Sequence, residues 1–241
     1  MQPTTKSNDP FLKKKFIITS IIVLILTPLC LLLGVTLWQD RRYNILSLIM
    51  FILACIPFFL SFEHKKPKPR EILIIAVMSA IAVAGRAAFV WAPAFKPVTA
   101  IVAITGFSFG PAAGFLTGAA TAITSNIFFG QGPWTPFQMF AWGILGYIAG
   151  VLGKTDWMKY KIWLIIFGLL SGILYSFIMD IWTVISYDSK FTWSRYIAAA
   201  GTAIPYTATY AISNIIFLLL LAKPIGEKLK RIKIKYGLLE E

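Results

Sequence analysis

Two ionisable side chains, Arg86 and Asp180, interrupt long apolar runs of the sequence and are the first candidates for chemistry. A charge inside a bilayer is costly, so such residues normally pair or face a cavity lined by protein. If both runs are membrane helices, each charge lies on the order of 10 Å below the outer surface, at about 1.5 Å per residue. Two interpretations stay open: an ion pair that joins the two helices, or a ligand pocket that opens to the outside.

Amide and aromatic side chains approach the same outer level. The amides are those of Asn126, Gln131 and Gln138. Trp134 lies with Gln131 in a loop rich in glycine and proline. Aromatic residues at this level are usually a belt at the membrane interface, but a belt does not account for amides within tight loops. Such a mixture suits an amphipathic ligand with a flat apolar surface and amide edges. The predicted substrate-binding residues are Arg86, Phe95, Asn126, Gln131, Trp134, Gln138, Asp180, Tyr187 and Trp193.

No catalytic constellation accompanies these residues. Gly153-Lys154-Thr155 resembles the end of a phosphate-binding P-loop, but Ile148 stands where the first glycine is required, and an apolar run precedes the tripeptide instead of a strand. No nucleophile–base pair, carboxylate dyad or HExxH motif is visible, and the one histidine, His64, has no cluster of metal ligands around it. We therefore predict a protein that is not an enzyme, binds no metal and has no intrinsic cofactor. Any ATP hydrolysis must come from another subunit.

The composition is typical of an integral membrane protein. Hydrophobic residues make up 58% of the chain and charged residues only 14%, whereas a soluble domain contains about 25% charged residues. Cys30 and Cys55 both lie in apolar runs, so no disulfide framework is implied. In a soluble protein, the net charge of +13 would suggest nucleic acid. Here the basic residues lie between apolar runs and orient the chain in the lipid bilayer, so no nucleic-acid partner is predicted.

The apolar runs predict eight membrane helices. Phe16–Trp38 and Tyr43–Phe62 come first, and each has about the 20 residues that a crossing needs. Six more follow, at residues 72–91, 98–109, 112–129, 136–152, 162–187 and 196–221. The fold class is therefore all-α, a polytopic helix bundle with a six-helix core and two additional N-terminal transmembrane helices. The predicted regions are an N-terminus (1–15), the two additional helices (16–62), a basic hinge (63–71), the core (72–222) and a basic tail expected to form a surface helix (223–241).

The distribution of basic residues predicts the orientation of the bundle. Eight spans place both termini on one side of the membrane, together with the hinge, the loop at 154–161 and the tail, which carry most of the lysines and arginines. Cytoplasmic loops carry the excess of positive charge in membrane proteins. We therefore expect both termini in the cytoplasm. The opposite side has only Arg41, Arg42, Lys96, Lys190 and Arg195.

Small residues recur every fourth place in two regions. Such spacing lets helix backbones approach closely in lipid, where association depends on packing. Ala76, Ala80 and Ala84 form a stripe on the first core helix, which either packs inside the bundle or docks a separate membrane subunit. The glycines recur at Gly106, Gly110, Gly114 and Gly118, and again at Gly146 and Gly150.

Residues Arg70 to Lys223 resemble the substrate-binding S components of energy-coupling factor (ECF) transporters. The resemblance rests on the Ala76-x-x-x-Ala80 motif, the turn FGPAAGF at 109–115, and the outer loop that leads into Phe137-Gln138. It implies a six-helix bundle in the bacterial plasma membrane that captures a vitamin from outside. It also implies that the alanine stripe meets a transmembrane coupling (T) subunit driven by two cytoplasmic ATPases. The two N-terminal helices depart from the six-helix pattern.

The outer loop GQGPWTPFQMF at 130–140 is most similar to family members associated with cobalamin uptake, so cobalamin is the expected transported ligand. Without an outer histidine to ligate cobalt, cobalamin would be held by shape, stacking and hydrogen bonds. Another small vitamin or precursor is the alternative within the family. A secondary transporter would be expected to show more intramembrane acids than Asp180, and a membrane enzyme would need a catalytic constellation.

Overall fold

The computed structural model describes residues 69–155, 160–188 and 191–237, together with the single positions 18, 21, 25 and 29. Over these ranges the chain is helical and contains no strand. The predicted N-terminal helices at 16–62 and most of the basic hinge therefore lie outside the described residues. The helices are α1 (Pro69–Ala88), α2 (Val98–Phe109), α3 (Pro111–Phe129), α4 (Thr135–Leu152), α5 (Lys161–Asp188) and α6 (Trp193–Tyr236).

The lengths and composition of these helices confirm an integral membrane bundle. Four helices, α3 to α6, are long and apolar enough to cross a membrane, while α1 and α2 contain shorter apolar segments. With 12 residues, α2 is only about 18 Å long at 1.5 Å per residue. It therefore spans about two thirds of a hydrocarbon core that is about 30 Å thick.

Glycine and proline set the helix ends where the sequence predicts them. Gly110 ends α2 with a φ of 93°, and Pro111 occupies the first turn of α3. A positive φ favours glycine, and proline fits the start of a helix because the first N–H groups have no intrahelical partner. Gly130, with a φ of 104°, ends α3 in the same way. The outer loop at 130–134 then leads into α4.

The glycine stripes bring α2, α3 and α4 into close contact. A Cβ atom built on Gly106 would lie 2.3 Å from the carbonyl oxygen of Gly146, and one built on Gly114 would lie 2.2 Å from the same oxygen. A Cβ on Gly150 would lie 2.3 Å from the backbone nitrogen of Pro111. The predicted close packing of backbones is therefore confirmed, and it leaves no room for a side chain at these positions.

Helices α5 and α6 form an antiparallel pair that completes the bundle. Gly168 and Gly172 of α5 face the backbone of Ile215 and Ala211 of α6. Helix α5 also contacts α4, and α6 also contacts α2. The pair therefore packs against two of the three helices in the α2–α4 unit.

The predicted basic tail at 223–241 is helical as far as Tyr236, and it continues α6 rather than forming a helix of its own. Helix α6 runs without a break to Tyr236, with Pro205 and Pro224 inside it. Leu229 is buried, and Lys233 Nζ donates a hydrogen bond of 3.4 Å to the carbonyl oxygen of Ser108 near the end of α2. The basic residues that begin at Lys223 therefore do not end the helix. Proline is tolerated there because neighbouring elements supply other contacts.

Candidate functional site

Arg86 lies in the last turn of α1 and contacts α3. Its Nη1 donates hydrogen bonds to Ser125 Oγ and, at 2.7 Å, to Asn126 Oδ1. The guanidinium carbon lies 4.8 Å from the centre of the Phe129 ring and 5.5 Å from that of Trp142. Aromatic faces attract cations, especially away from water. The charge of Arg86 is thus held by two oxygens and two rings.

Asn126 continues the hydrogen bonds from α3 to α4. Its Nδ2 donates to Thr135 Oγ1 at 2.9 Å and to Gln138 Oε1 at 2.8 Å. Gln138 Nε2 then donates to the hydroxyl of Tyr175 on α5 at 3.1 Å. The ring of Tyr175 packs at 4.8 Å, centre to centre, on that of Tyr210 in α6. A single polar network therefore links five helices, and its members are Arg86, Ser125, Asn126, Thr135, Gln138, Tyr175 and Tyr210.

The loop between α3 and α4 closes over this network. Gln131 is exposed, but its Nε2 donates to the carbonyl oxygen of Ile123 at 2.9 Å, and its Oε1 accepts from Thr135 Oγ1 at 2.9 Å. The half-buried Trp134 folds back over Gly132, where a Cβ would lie 2.0 Å from its ring. The side chain of Gln131 therefore ties the loop to a backbone carbonyl of α3 and to the Thr135 hydroxyl at the start of α4.

The loop between α1 and α2 is fixed to α6. The backbone nitrogen of Lys96 donates to Ser213 Oγ at 2.8 Å, and Ser213 Oγ donates to the Lys96 carbonyl oxygen at 3.0 Å. Phe95 packs against Phe89 and Phe217, with ring centres 5.9 and 5.2 Å away. Burial lowers the pKa of the Lys96 ammonium, and the nearby guanidinium of Arg86 lowers that pKa further.

Asp180 does not pair with Arg86 in the described part of the chain. Its side chain is only 7% exposed, and its Oδ2 atom has no hydrogen-bond partner there. Tyr196 and Tyr210, both on α6, lie within electrostatic range of the carboxyl group. The ion pair that was one interpretation of Arg86 and Asp180 is therefore not formed.

Two predicted site residues lie apart from the network. Tyr187 is 79% exposed and Trp193 is 63% exposed. The ring of Trp193 packs with Phe191 and Tyr196 at 5.3 and 5.9 Å. Their exposure at the outer ends of α5 and α6 is typical of an interfacial aromatic belt.

The alanine stripe of α1 faces away from the bundle. Ala76, Ala80 and Ala84 are all exposed, whereas Met78 and Ala82 on the opposite face are buried in the core. The stripe is therefore not packed inside the six-helix core that the structure describes. The docking of another subunit on this face stays a prediction.

Sequence reasoning missed Ser125, Thr135, Trp142, Tyr175 and Tyr210. A tyrosine within an apolar run carries a hydroxyl that requires a partner when it is buried. Tyr175 and Tyr210 carried that signal, but they were not singled out as Arg86 and Asp180 were. Ser125 and Thr135 gave no comparable signal, since hydroxyls in helices commonly bond to their own backbone.

An apolar cavity of about 290 Å³ lies between α4 and α5. It is near the end of α4 and the start of α5, opposite to the polar network along these helices. Its one hydroxyl side chain, Ser171, donates to the carbonyl oxygen of Gly168 and accepts from Asn214, and Trp163 in the same lining also has a partner. The cavity therefore offers no unpaired polar group to a ligand. Its lining consists of Leu145, Ile148, Leu152, Trp163, Ile166, Phe167, Leu170, Ser171 and Leu174.

Comparison with known proteins gives one match. No curated protein and no solved structure is similar to the chain. The family model described as "ECF-type riboflavin transporter, S component" matches residues 66–231. This range covers α1 to α5 and most of α6, together with both outer loops around the polar network. The match supports the predicted S component, although not its assignment to the cobalamin-associated members. The chain thus belongs to the family of ECF-type riboflavin transporter S components, which are multi-pass membrane subunits specific for a substrate and not enzymes themselves.

Proposed function

We propose that this protein captures riboflavin, or a vitamin of closely similar chemistry, at the outer face of a bacterial plasma membrane. The observation that carries the proposal is the family match, which extends over the whole six-helix core and names riboflavin. The similarity to cobalamin-associated members rests on one loop of eleven residues, 130–140. The match is therefore the broader basis for choosing the substrate.

The chemistry of the outer network supports a ligand of this type. Riboflavin has a flat ring system with carbonyl and N–H groups along one edge, and a chain of hydroxyl groups. A guanidinium has five N–H donors, and the hydrogen bonds of Arg86 to described residues use Nη1 alone. Its Nε and Nη2 groups therefore suit the carbonyl edge of a flavin, and Trp142 supplies an aromatic face beside them.

Gln131 and Trp134 would cover the bound vitamin. Both lie in the loop directly above Asn126, Thr135 and Gln138, and side-chain bonds hold this loop in place. A loop that is ordered over a ligand excludes water from the polar contacts beneath it. We place the binding site at this outer end rather than in the apolar cavity between α4 and α5.

Delivery would require the partners that the family implies. We propose that the exposed stripe Ala76, Ala80 and Ala84 meets a transmembrane T subunit, which couples the protein to two cytoplasmic ATPases. A smooth surface of small residues lets a second helix approach closely in lipid. The distribution of basic residues supports cytoplasmic termini, so the vitamin site would face outward.

The test is ligand binding by the purified full-length protein in lipid nanodiscs. Riboflavin fluorescence should be quenched saturably, at one vitamin per protein, when the ring stacks near Trp142. An equimolar amount of cobalamin should leave this titration unchanged. Saturable binding of cobalamin, without any response to riboflavin, would assign the protein to cobalamin instead. Failure to bind either vitamin would contradict both assignments.

A further inference from the structure

Asp180 departs from the pairing of buried polar atoms seen elsewhere in the described helices. Among the described residues, its Oδ2 is the only buried side-chain nitrogen or oxygen without a hydrogen-bond partner. Other buried polar side chains are bonded, such as Asn214 to Ser171 Oγ at 3.0 Å. Buried polar groups in native proteins nearly always have partners, so this atom requires an explanation.

The groups around Asp180 do not supply the missing donor. Tyr196 lies within electrostatic range, but its hydroxyl donates to the carbonyl oxygen of Phe177 at 3.1 Å. Tyr210 is also within range, but its hydroxyl interacts with that of Tyr175. Thr183, on the next turn of α5, donates to the carbonyl oxygen of Met179 at 3.2 Å. The nearby hydroxyl groups are therefore already engaged.

Asp180 nevertheless belongs to the same region as the polar network. Tyr210 is within electrostatic range of both Asp180 and Arg86. One tyrosine hydroxyl is thus within electrostatic range of a guanidinium that has unused donors and of a carboxyl group that has an unused acceptor. An intramembrane acid without a protein partner is costly unless another group compensates it. A bound molecule can provide that compensation.

We infer that Asp180 is a substrate-binding residue that accepts a hydrogen bond from an N–H or O–H group of the vitamin. The inference rests on the proposed function and narrows it to a substrate class. The substrate would present acceptors to Arg86 and at least one donor to Asp180. Riboflavin meets this requirement with its carbonyl groups on one side and its ring N–H or its side-chain hydroxyls on the other.

The experiment compares Asp180→Asn with the wild type in the riboflavin titration, and adds two analogues. Lumiflavin lacks the hydroxylated side chain, and 3-methylriboflavin lacks the ring N–H. Loss of a charge-assisted hydrogen bond should weaken riboflavin binding on the order of 10-fold. One of the two analogues lacks the donor group that bonds to Asp180. That analogue should bind equally well to the wild type and to Asp180→Asn. Ser171→Ala is the matched control. Ser171 precedes Asp180 on the same helix and lies outside the polar network, so this change should leave riboflavin affinity unchanged.

Melting temperature separates this role from a structural one. Without ligand, Asp180→Asn should melt at the same temperature as the wild type or higher, since it removes an unpaired buried acid. A marked fall in melting temperature, with equal loss of affinity for riboflavin and both analogues, would show that Asp180 supports the fold instead. Unchanged riboflavin affinity in the variant would overturn the inference.

Two further outcomes are distinguished from these: a wild type that does not bind riboflavin, and a variant that does not fold. If the wild type itself does not bind riboflavin, the proposed function fails, and the inference as stated for riboflavin fails with it. If Asp180→Asn does not fold, Asp180→Glu keeps the carboxyl group but displaces it. This variant should also bind riboflavin more weakly, and wild-type affinity in folded Asp180→Glu would overturn the inference.

Discussion

The glycine-packed unit of α2, α3 and α4 and the outer polar network hold neighbouring helices together by different means. In the glycine-packed unit, backbone lies against backbone, and the space at Gly106, Gly114 and Gly146 is too small for one methyl group. In the polar network, side-chain hydrogen bonds and ring contacts join the helices, from Arg86 on α1 to Tyr210 on α6. The first arrangement tolerates almost no change of shape. The polar network can exchange one hydrogen-bond partner for another, as a ligand site requires.

This difference gives the two regions different expected responses to mutation. Close backbone packing is lost as a unit, because a side chain at any of its glycines forces two helices apart. A hydrogen-bond network loses one or two bonds at a time and keeps the rest. The four predictions below test the contrast, in order of decreasing expected effect on stability.

Gly146→Ala should have the largest effect. A Cβ there would lie 2.2 Å from the carbonyl oxygen of Gly114, so α3 and α4 must separate, at about 3 kcal/mol. Thermal melting in detergent measures the change. Gly201→Ala is the matched control, because a Cβ on Gly201 meets nothing within 4 Å. The control should be neutral or slightly stabilising, since alanine favours a helix over glycine by about 0.5–1 kcal/mol. Equal melting of the two variants would contradict the packing argument.

Asn126→Ala should have the next largest effect. The buried amide contacts Arg86, Thr135 and Gln138, and leaving such groups unpaired costs about 1–3 kcal/mol. Because the network acts as a unit, the losses in Asn126→Ala and Gln138→Ala should not add in the double variant. A coupling energy of about 0.5–3 kcal/mol is expected from melting of all four proteins. Strict additivity would mean that the two amides do not share one network.

Trp134→Ala combined with Gln131→Ala should affect ligand binding more than stability. Gln131 is exposed and Trp134 is half-buried, so the double substitution removes two side-chain hydrogen bonds near the surface and little buried packing. We expect riboflavin affinity to fall about 10-fold or more, corresponding to about 1.4 kcal/mol, with little change in melting temperature. If affinity is unchanged, the site does not lie under this loop.

Ala76→Leu combined with Ala80→Leu should have the smallest effect on the isolated protein. Both positions are exposed, so melting temperature and riboflavin affinity should match those of the wild type. Copurification with the T subunit should be lost, because leucine prevents close approach of a second helix. Ala208→Leu, on the exposed surface of α6, is the matched control and should keep the complex. Survival of the complex in the double variant would remove the alanine stripe from the docking surface.

Much of the fold could be predicted from the sequence. The boundaries of α2 to α5 agree with the predicted spans within about two residues, because Gly110-Pro111 and the Gly/Pro-rich outer loop are local signals that end helices. The close packing of the glycine stripes followed from their spacing in the same way. The continuity of α6 did not follow, since the basic residues from Lys223 onward predicted a tail distinct from the last span, where contacts at Leu229 and Lys233 continue the helix.

The sequence by itself determined which segments are membrane helices and which side chains among them are polar. The tertiary structure decided which polar side chains meet. The sequence marked Arg86 as a charge within a membrane helix, but its bonds to Ser125 and Asn126, rather than to Asp180, depend on how α1 and α3 are rotated. In a lipid environment both faces of a helix are apolar, so the sequence pattern does not fix that rotation. Packing of backbones, such as Gly114 on α3 against Gly146 on α4 and Gly172 on α5 against Ala211 on α6, contributes to the rotation of these four helices. The resulting fold brings Tyr175 and Tyr210 into a network whose members are far apart in the chain.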